Sequence, residues 1–406
     1  MITQSGLQDK RKGNKGKELM PREYIEIPQM EVDGKLYHDR HLDMVEALIP
    51  NPYQYCHAAD LLETADGDLL CCFFAGEKGE GWSDVNIYLS RLPADGSCWS
   101  NPVRVSDDDT RSEQNPSLFQ HPDGEIWLIY TAHVSKTPGM ELPPHANLQY
   151  TAQIRCKRSK DGGHTFGETE TLFDYQGSFC RQKIQVLKSG RFVFGNWRCF
   201  DDDTRNGSDI TVIQISDNQG KDWRAVEIPD SRGLVHCNLV ERPDGRLVAL
   251  FRSRGADYIY RAESEDEGEH WTKPEALELP NNNSSISAIP LQSGAIAMAY
   301  NSCGFGEDRN RSRWPKQRAP IALAISEDDG VTWDLRRIVE SAEGYCGRLN
   351  GSNNRRYGYP VLMQSRDGAI HLAYTWRQRR AIKYVKIDEA WIRGETSLDE
   401  GLKYQF

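Results

Sequence analysis

The stretch Ser117–Tyr130, SLFQHPDGEIWLIY, is two apolar runs joined by a polar turn that ends in Gly124. Asp-Gly supplies the positive φ of a tight hairpin, so the stretch predicts two antiparallel strands. The pattern recurs in Asp60–Phe74, Gln185–Trp197, Asn238–Arg252, Ala288–Asn301 and Leu362–Trp376, with turn glycines Gly67, Gly190, Gly245, Gly294 and Gly368. Successive glycines lie 49 to 74 residues apart, the span of one four-stranded blade with variable loops. Six such hairpins predict an all-β chain, a six-bladed β-propeller. Residues 46–390 are then the propeller and catalytic domain, 1–45 a tail with an approach strand, and 391–406 a closing segment.

Composition narrows the function classes. The 406 residues carry 50 Lys and Arg against 60 Asp and Glu, a net charge of −10. An acidic chain gains little from displacing counterions on phosphates, so nucleic acid is not an expected partner. A local basic patch, Arg377, Arg379 and Arg380, still suits an anionic ligand. No apolar run reaches the roughly 18 residues of a membrane span. The first 24 residues are polar and basic without a secretory apolar core, so the expectation is a cytoplasmic protein, monomer or homodimer. The ten cysteines show no zinc spacing, and Cys71 and Cys72 sit inside an apolar run. Reduced thiols, no metal and no cofactor are expected.

A second repeat lies between the hairpins. Ser159–Phe166 and Ser326–Trp333 match S-x-D-x-G-x-[TS]-[WF], Ser216–Trp223 and Ser264–Trp271 follow it with Asn218, Asp222 and His270 at variant places, and a degenerate copy ends at Trp99. The acidic residue caps a tight turn, glycine permits it, and the aromatic packs between strands. With these Asp-boxes the chain resembles the sialidase-like (BNR/Asp-box) superfamily of six-bladed propellers over roughly residues 50–390.

The hairpin glycines also give a register for the inner strands, whose first residues reach the ligand face of a propeller. Nine residues before each turn glycine stand Asn115, Arg181, His236, Ser285 and Tyr359, and in the first blade Ala58 beside His57. Polar, titratable residues at six equivalent strand starts, where a packed strand prefers Val or Ile, predict a site. Arg252 ends the fourth hairpin and Arg318 opens the strand into the last Asp-box. The resemblance implies that these are two of three carboxylate-binding arginines, and that Tyr359 stands at the nucleophilic tyrosine, with Tyr357 as its alternate.

Two departures separate the chain from that family pattern. His57 replaces the third arginine, and His236 replaces the glutamate that would take the tyrosine's proton. The general acid implied for the loop after the first hairpin has three candidates, Glu77, Glu80 and Asp84. Histidines at strand starts favour proton transfer near neutral pH, and arginines on a carboxylate acidify the neighbouring C–H. The preferred expectation is therefore exo-acting cleavage beside an anionic sugar, a uronate in an acidic oligosaccharide. His57, His236 and Tyr359 would be catalytic, with β-elimination slightly favoured over hydrolysis. Arg181, Arg252, Arg318, Asn115, Lys183, Ser285 and Tyr357 would bind substrate. A sialidase-type or rhamnosidase-like hydrolase and a non-catalytic acidic-glycan binder are the alternatives. Trp82, Trp197, Trp314 and Trp376 are candidate stacking platforms, and Arg309, Arg311 and Arg313 read as a solvated loop on the ligand face or an interface.

Overall fold

The computed structural model describes residues 31–394 apart from 40–41, 54, 142–147, 174, 307 and 342–355. Six antiparallel sheets follow one another around a ring, so the chain is a six-bladed β-propeller. The first blade runs Cys56–Glu63, Leu69–Ala75, Asn86–Leu92 and Val103–Arg104 from the axis outward, and the others repeat that order. Each predicted turn glycine joins the first two strands of a blade with φ between 88° and 100°.

The first two strands of a blade are largely buried on both faces, as in the second strand Leu247–Ser253, whose every residue is buried. This explains their near-continuous apolar runs: each blade packs its faces against both neighbours. Phe73, Ala373 and Tyr384 share one interblade core, and Val248, Met298 and Trp333 another.

The sixth blade holds Gly358–Gln364, Ile370–Trp376 and Ala381–Ile387, and the strand Met44–Ile49 completes it by pairing Val45 with Lys386 and Ile49 with Ile382. The expected boundary at 45/46 thus falls inside a blade strand. A pairing across so many residues leaves no local signal. Glu46 of this strand meets Lys383 at 2.7 Å inside the blade. At the other end, the boundary at 390/391 falls in a short helix, Glu389–Arg393, which buries Trp391 and Ile392. The first 30 residues and the last 12 lie outside the described residues.

The Asp-boxes cap turns between third and fourth strands. Asp161 Oδ1 accepts from Thr165 N at 2.9 Å, Asp266 Oδ1 from His270 N at 2.9 Å and Asp328 Oδ1 from Thr332 N at 2.8 Å. Asn218 takes the same part in the third blade, accepting from Asp222 N at 2.9 Å. By strand direction these turns lie at the end opposite the inner-strand starts, away from the ligand face.

Candidate active site

The register of nine residues before the turn glycine lands on a backbone irregularity. Strand pairing breaks between His57 and Asp60, Gln114 and Ser117, Val235 and Asn238, and Gly358 and Val361. Within each break one non-glycine residue is left-handed: Ala58 (φ 57°), Asn115 (50°), His236 (53°) and Tyr359 (54°). Such a conformation costs about 1–2 kcal/mol per residue. Each bulge turns a side chain out of the ladder and towards the axis. Three of these positions, Asn115, His236 and Tyr359, line one cleft together with Glu80, Trp197, Arg254 and Trp314, among others.

Tyr359 lies at its centre. Its hydroxyl accepts from Arg252 Nη1 at 2.7 Å. The guanidiniums of Arg252, Arg318 and Arg181 stand 5.4, 5.6 and 5.7 Å from its ring centroid. Burial alone would raise the phenol, but the charges of Arg252 and Arg318 outweigh it and hold the hydroxyl below the ordinary tyrosine range. Conversely, burial and neighbouring guanidiniums bring Arg318 down to about 9, and burial brings Arg252 to about 10. Nη2 of Arg252 and Nε of Arg318 are buried without a hydrogen-bond partner. An excess of buried positive charge with unmet donors is the electrostatic signature of an anion site.

The two histidines are held neutral. His236 stacks on Trp197 with centroids 4.4 Å apart. Its Nε2 lies 2.9 Å from Arg252 Nη1 and its Nδ1 lies 3.0 Å from Ser285 Oγ. A guanidinium only donates, so Nε2 accepts and the proton resides on Nδ1. His57 sits 4.0 Å from the Tyr359 ring, with Nδ1 2.7 Å from Thr375 Oγ1 and Nε2 buried without a partner. Burial first, then the arginines, drives both histidines well below the usual imidazole range. His236 is therefore an acceptor that orients Arg252, in contrast to the proton-shuttling part expected for it.

The remaining expected residues divide sharply. Asn115 is 6% exposed, lines the cleft and makes no side-chain hydrogen bond among the described residues. Arg181 lies beneath Tyr359, with Nη2 donating to Ala59 O at 2.9 Å. Ser285 is fully buried behind His236, out of a substrate's reach. Lys183 leaves the site altogether. Its ammonium meets Asp60 Oδ2 at 2.7 Å and Leu118 O at 3.2 Å, from the segment between the strands Ser178–Cys180 and Gln185–Val186. Tyr357 packs in the interblade core, 6.4 Å from Tyr374 between ring centroids. The left-handed turn at Tyr359 breaks the alternation that would have put both tyrosines on one face.

Of the candidate acids, only Glu80 lines the cleft. Glu77 is exposed, and Asp84 Oδ2 accepts from Glu77 N at 2.7 Å and Lys78 N at 2.8 Å, capping its own loop. Glu80 pairs with Arg379 Nη1 at 2.7 Å. Burial would raise this carboxyl, but Arg379 keeps it below the ordinary glutamate range, hence ionised.

Arg379 is a site residue that no repeat register reaches. It sits in the turn after the second strand of the sixth blade, where Arg377, Gln378 and Arg379 are all left-handed, at φ 35°, 59° and 73°. The turn folds back over the first blade, with Cys56 N donating to Arg379 O at 2.7 Å. Its guanidinium lies 4.9 Å from the Tyr55 ring and brings positive charge beside His57, where the family pattern has an arginine. The basic run at 377–380 was the only hint in the sequence. Of the candidate platforms, Trp197 is buried under His236, whereas Trp314 is 43% exposed at the cleft. Among the described residues no His, Cys, Asp and Glu cluster is grouped to hold a metal ion, and no helix is long and apolar enough to cross a membrane.

Among solved structures, the Hadza microbial sialidase Hz136 superposes with a TM-score of 0.65 at 16% identity, over 82% of this chain and 66% of that one. A protein of unknown function from Dyadobacter fermentans gives 0.66 at 16%, over 84% and 97%. The leech intramolecular trans-sialidase gives 0.63 at 14%, over 85% and 69%. At such identities the likeness shows the shared fold. No curated protein sequence matches the chain. The model of the BNR repeat-like domain matches residues 67–372, most of the propeller, and the chain belongs to that family, within the sialidase-like superfamily.

Proposed function

We propose that the protein cleaves an acidic oligosaccharide beside a uronate by β-elimination, with Tyr359 as the proton-transferring residue. The observation that carries this reading is the Tyr359 hydroxyl, held at 2.7 Å on Arg252 and below its ordinary pKa, with no carboxylate hydrogen-bonded to it among the described residues. Positive charge, rather than a neighbouring base, favours its phenolate. The unmet donors of Arg252 and Arg318, with Arg379 opposite, suit the substrate carboxylate. Neutralising that carboxylate acidifies the adjacent C–H. Tyr359 phenolate takes this proton, the electron pair forms the C=C bond, and the neighbouring C–O bond breaks. The leaving oxygen then takes its proton from the Tyr359 phenol, which returns the phenolate.

Hydrolysis is favoured by one observation, the presence of Glu80 in the cleft on the loop implied for the acid. Its pairing with Arg379 keeps it ionised, which suits a positioning residue better than a proton donor. Product mass separates the two. With a panel of uronate-containing oligosaccharides and sialosides, elimination gives a fragment one water lighter than the hydrolytic one. Only saturated products would replace this reading with hydrolysis. Intact substrates throughout would leave a glycan-binding propeller.

A further inference from the structure

The loop of the fifth blade that ends at Arg318 holds Arg309, Arg311, Arg313, Lys316 and Arg318 within ten residues and no acid between them, in a chain of net charge −10. It is built onto the cleft. At its base, Phe305 N and Gly306 N both donate to Ala256 O at 2.7 Å. A Cβ on Gly306 would collide with the Gly255 carbonyl, so glycine alone permits this approach. Further along, Arg313 N donates to Arg254 O at 2.8 Å and Asn283 Nδ2 donates to Arg313 O at 2.5 Å. Asn283 Oδ1 in turn accepts from Arg252 Nε at 2.7 Å, which ties the loop to the guanidinium on Tyr359.

Two features of this loop stay open to solvent. Trp314 rests near the guanidiniums of Arg254 and Arg252, 5.0 and 5.7 Å from its ring centroid, yet stays 43% exposed at the cleft. Arg311, Arg313 and Lys316 are exposed and have no carboxylate partner among the described residues. Their neighbour Arg254 is already neutralised by Asp209 Oδ2 at 2.6 Å. An aromatic ring with adjoining unpaired cations matches a sugar ring that carries, or adjoins, an anionic group.

We propose that this loop is the leaving-group subsite. Trp314 stacks on the sugar across the scissile bond, and Arg311, Arg313 and Lys316 meet a second anionic group on that side. The substrate class is thereby an oligosaccharide with repeated negative charge, not a single acidic cap on a neutral chain. This rests on the reading of the Tyr359 cleft as the uronate site.

The test is calorimetric binding to the Tyr359→Phe protein, so that chemistry is removed. The probes are glucuronate, an unsulfated tetrasaccharide alternating glucuronate with a neutral sugar, and maltotetraose. The acidic tetrasaccharide is expected to bind at least about tenfold tighter than glucuronate, and maltotetraose weakly. Replacing Arg311, Arg313 and Lys316 together by Gln closes most of that gap and flattens its salt dependence. Trp314→Leu closes part of it and leaves the salt dependence in place. A gap that survives in both variants overturns the subsite, as does an acidic tetrasaccharide no tighter than glucuronate. Salt-sensitive tetrasaccharide binding that the triple variant loses, with no glucuronate binding at all, would sink the uronate reading of the cleft while supporting the loop.

Discussion

Arg252 Nη1 donates to both the Tyr359 hydroxyl, at 2.7 Å, and His236 Nε2, at 2.9 Å. One guanidinium nitrogen thus fixes the reacting phenol and the imidazole together. Because His236 can only accept from it, the arrangement lowers the proton affinity of the phenol without a carboxylate base. The pH dependence of activity should follow Tyr359. Its phenolate is the working form, so kcat/KM should fall as pH drops through the tyrosine ionisation. Arg252→Met removes a positive charge, so that limb should move to higher pH and the plateau should drop. A limb that stays in place in Arg252→Met, measured across neutral to alkaline pH, would show that another group titrates.

His236→Gln tests the positioning role. Gln can still accept from Arg252 but cannot act as a base. Activity is expected to fall by about tenfold or less, whereas loss of a general base costs about 10²–10⁴. His236→Leu, which offers no acceptor to Arg252, should lose more. Equal losses in both variants, read as kcat on the same oligosaccharide, would restore histidine as the proton carrier.

Glu80→Gln separates two uses of the carboxylate in the cleft. Glu80 fixes Arg379 at 2.7 Å, so its amide should raise KM for an acidic substrate and leave the shape of the kcat–pH profile alone. A general acid would instead lose most of kcat and the alkaline limb with it.

Lys183 gives a stability prediction. It pairs with Asp60, whose side chain is 2% exposed, while Lys183 is 24% exposed. Lys183→Met leaves that carboxylate buried beside only its backbone donor, Leu118 N at 2.7 Å. Unfolding free energy in denaturant should fall by about 3 kcal/mol, with KM unchanged in the fraction that folds. A raised KM at unaltered stability would return Lys183 to substrate binding.

The ring was legible because each blade restates its own hairpin: Gly67, Gly124 and the other turn glycines fix a register that the structure keeps. That register also found Asn115, His236 and Tyr359, since a bulge recurs at the same distance from the turn in four of the six blades. It placed polar residues at the mouth but could not say which way a left-handed residue turns its neighbours, so Tyr357 and Ser285 looked reachable and are buried. Arg379 escaped because it stands on a turn outside the repeat, and Met44–Ile49 because its partner strand lies at the other end of the chain. Histidine protonation was not legible either: it follows from burial first, and then from the arginines packed around His57 and His236.

The most direct test of the central claim is the ultraviolet absorbance of an unsaturated uronate, followed in time with wild type and Tyr359→Phe on the same uronate-containing oligosaccharides. Absorbance should rise in wild type and at least about a hundredfold more slowly in Tyr359→Phe, with the fold intact by circular dichroism. Absorbance that rises equally in Tyr359→Phe would contradict the claim, as would sugar release by wild type without any absorbance.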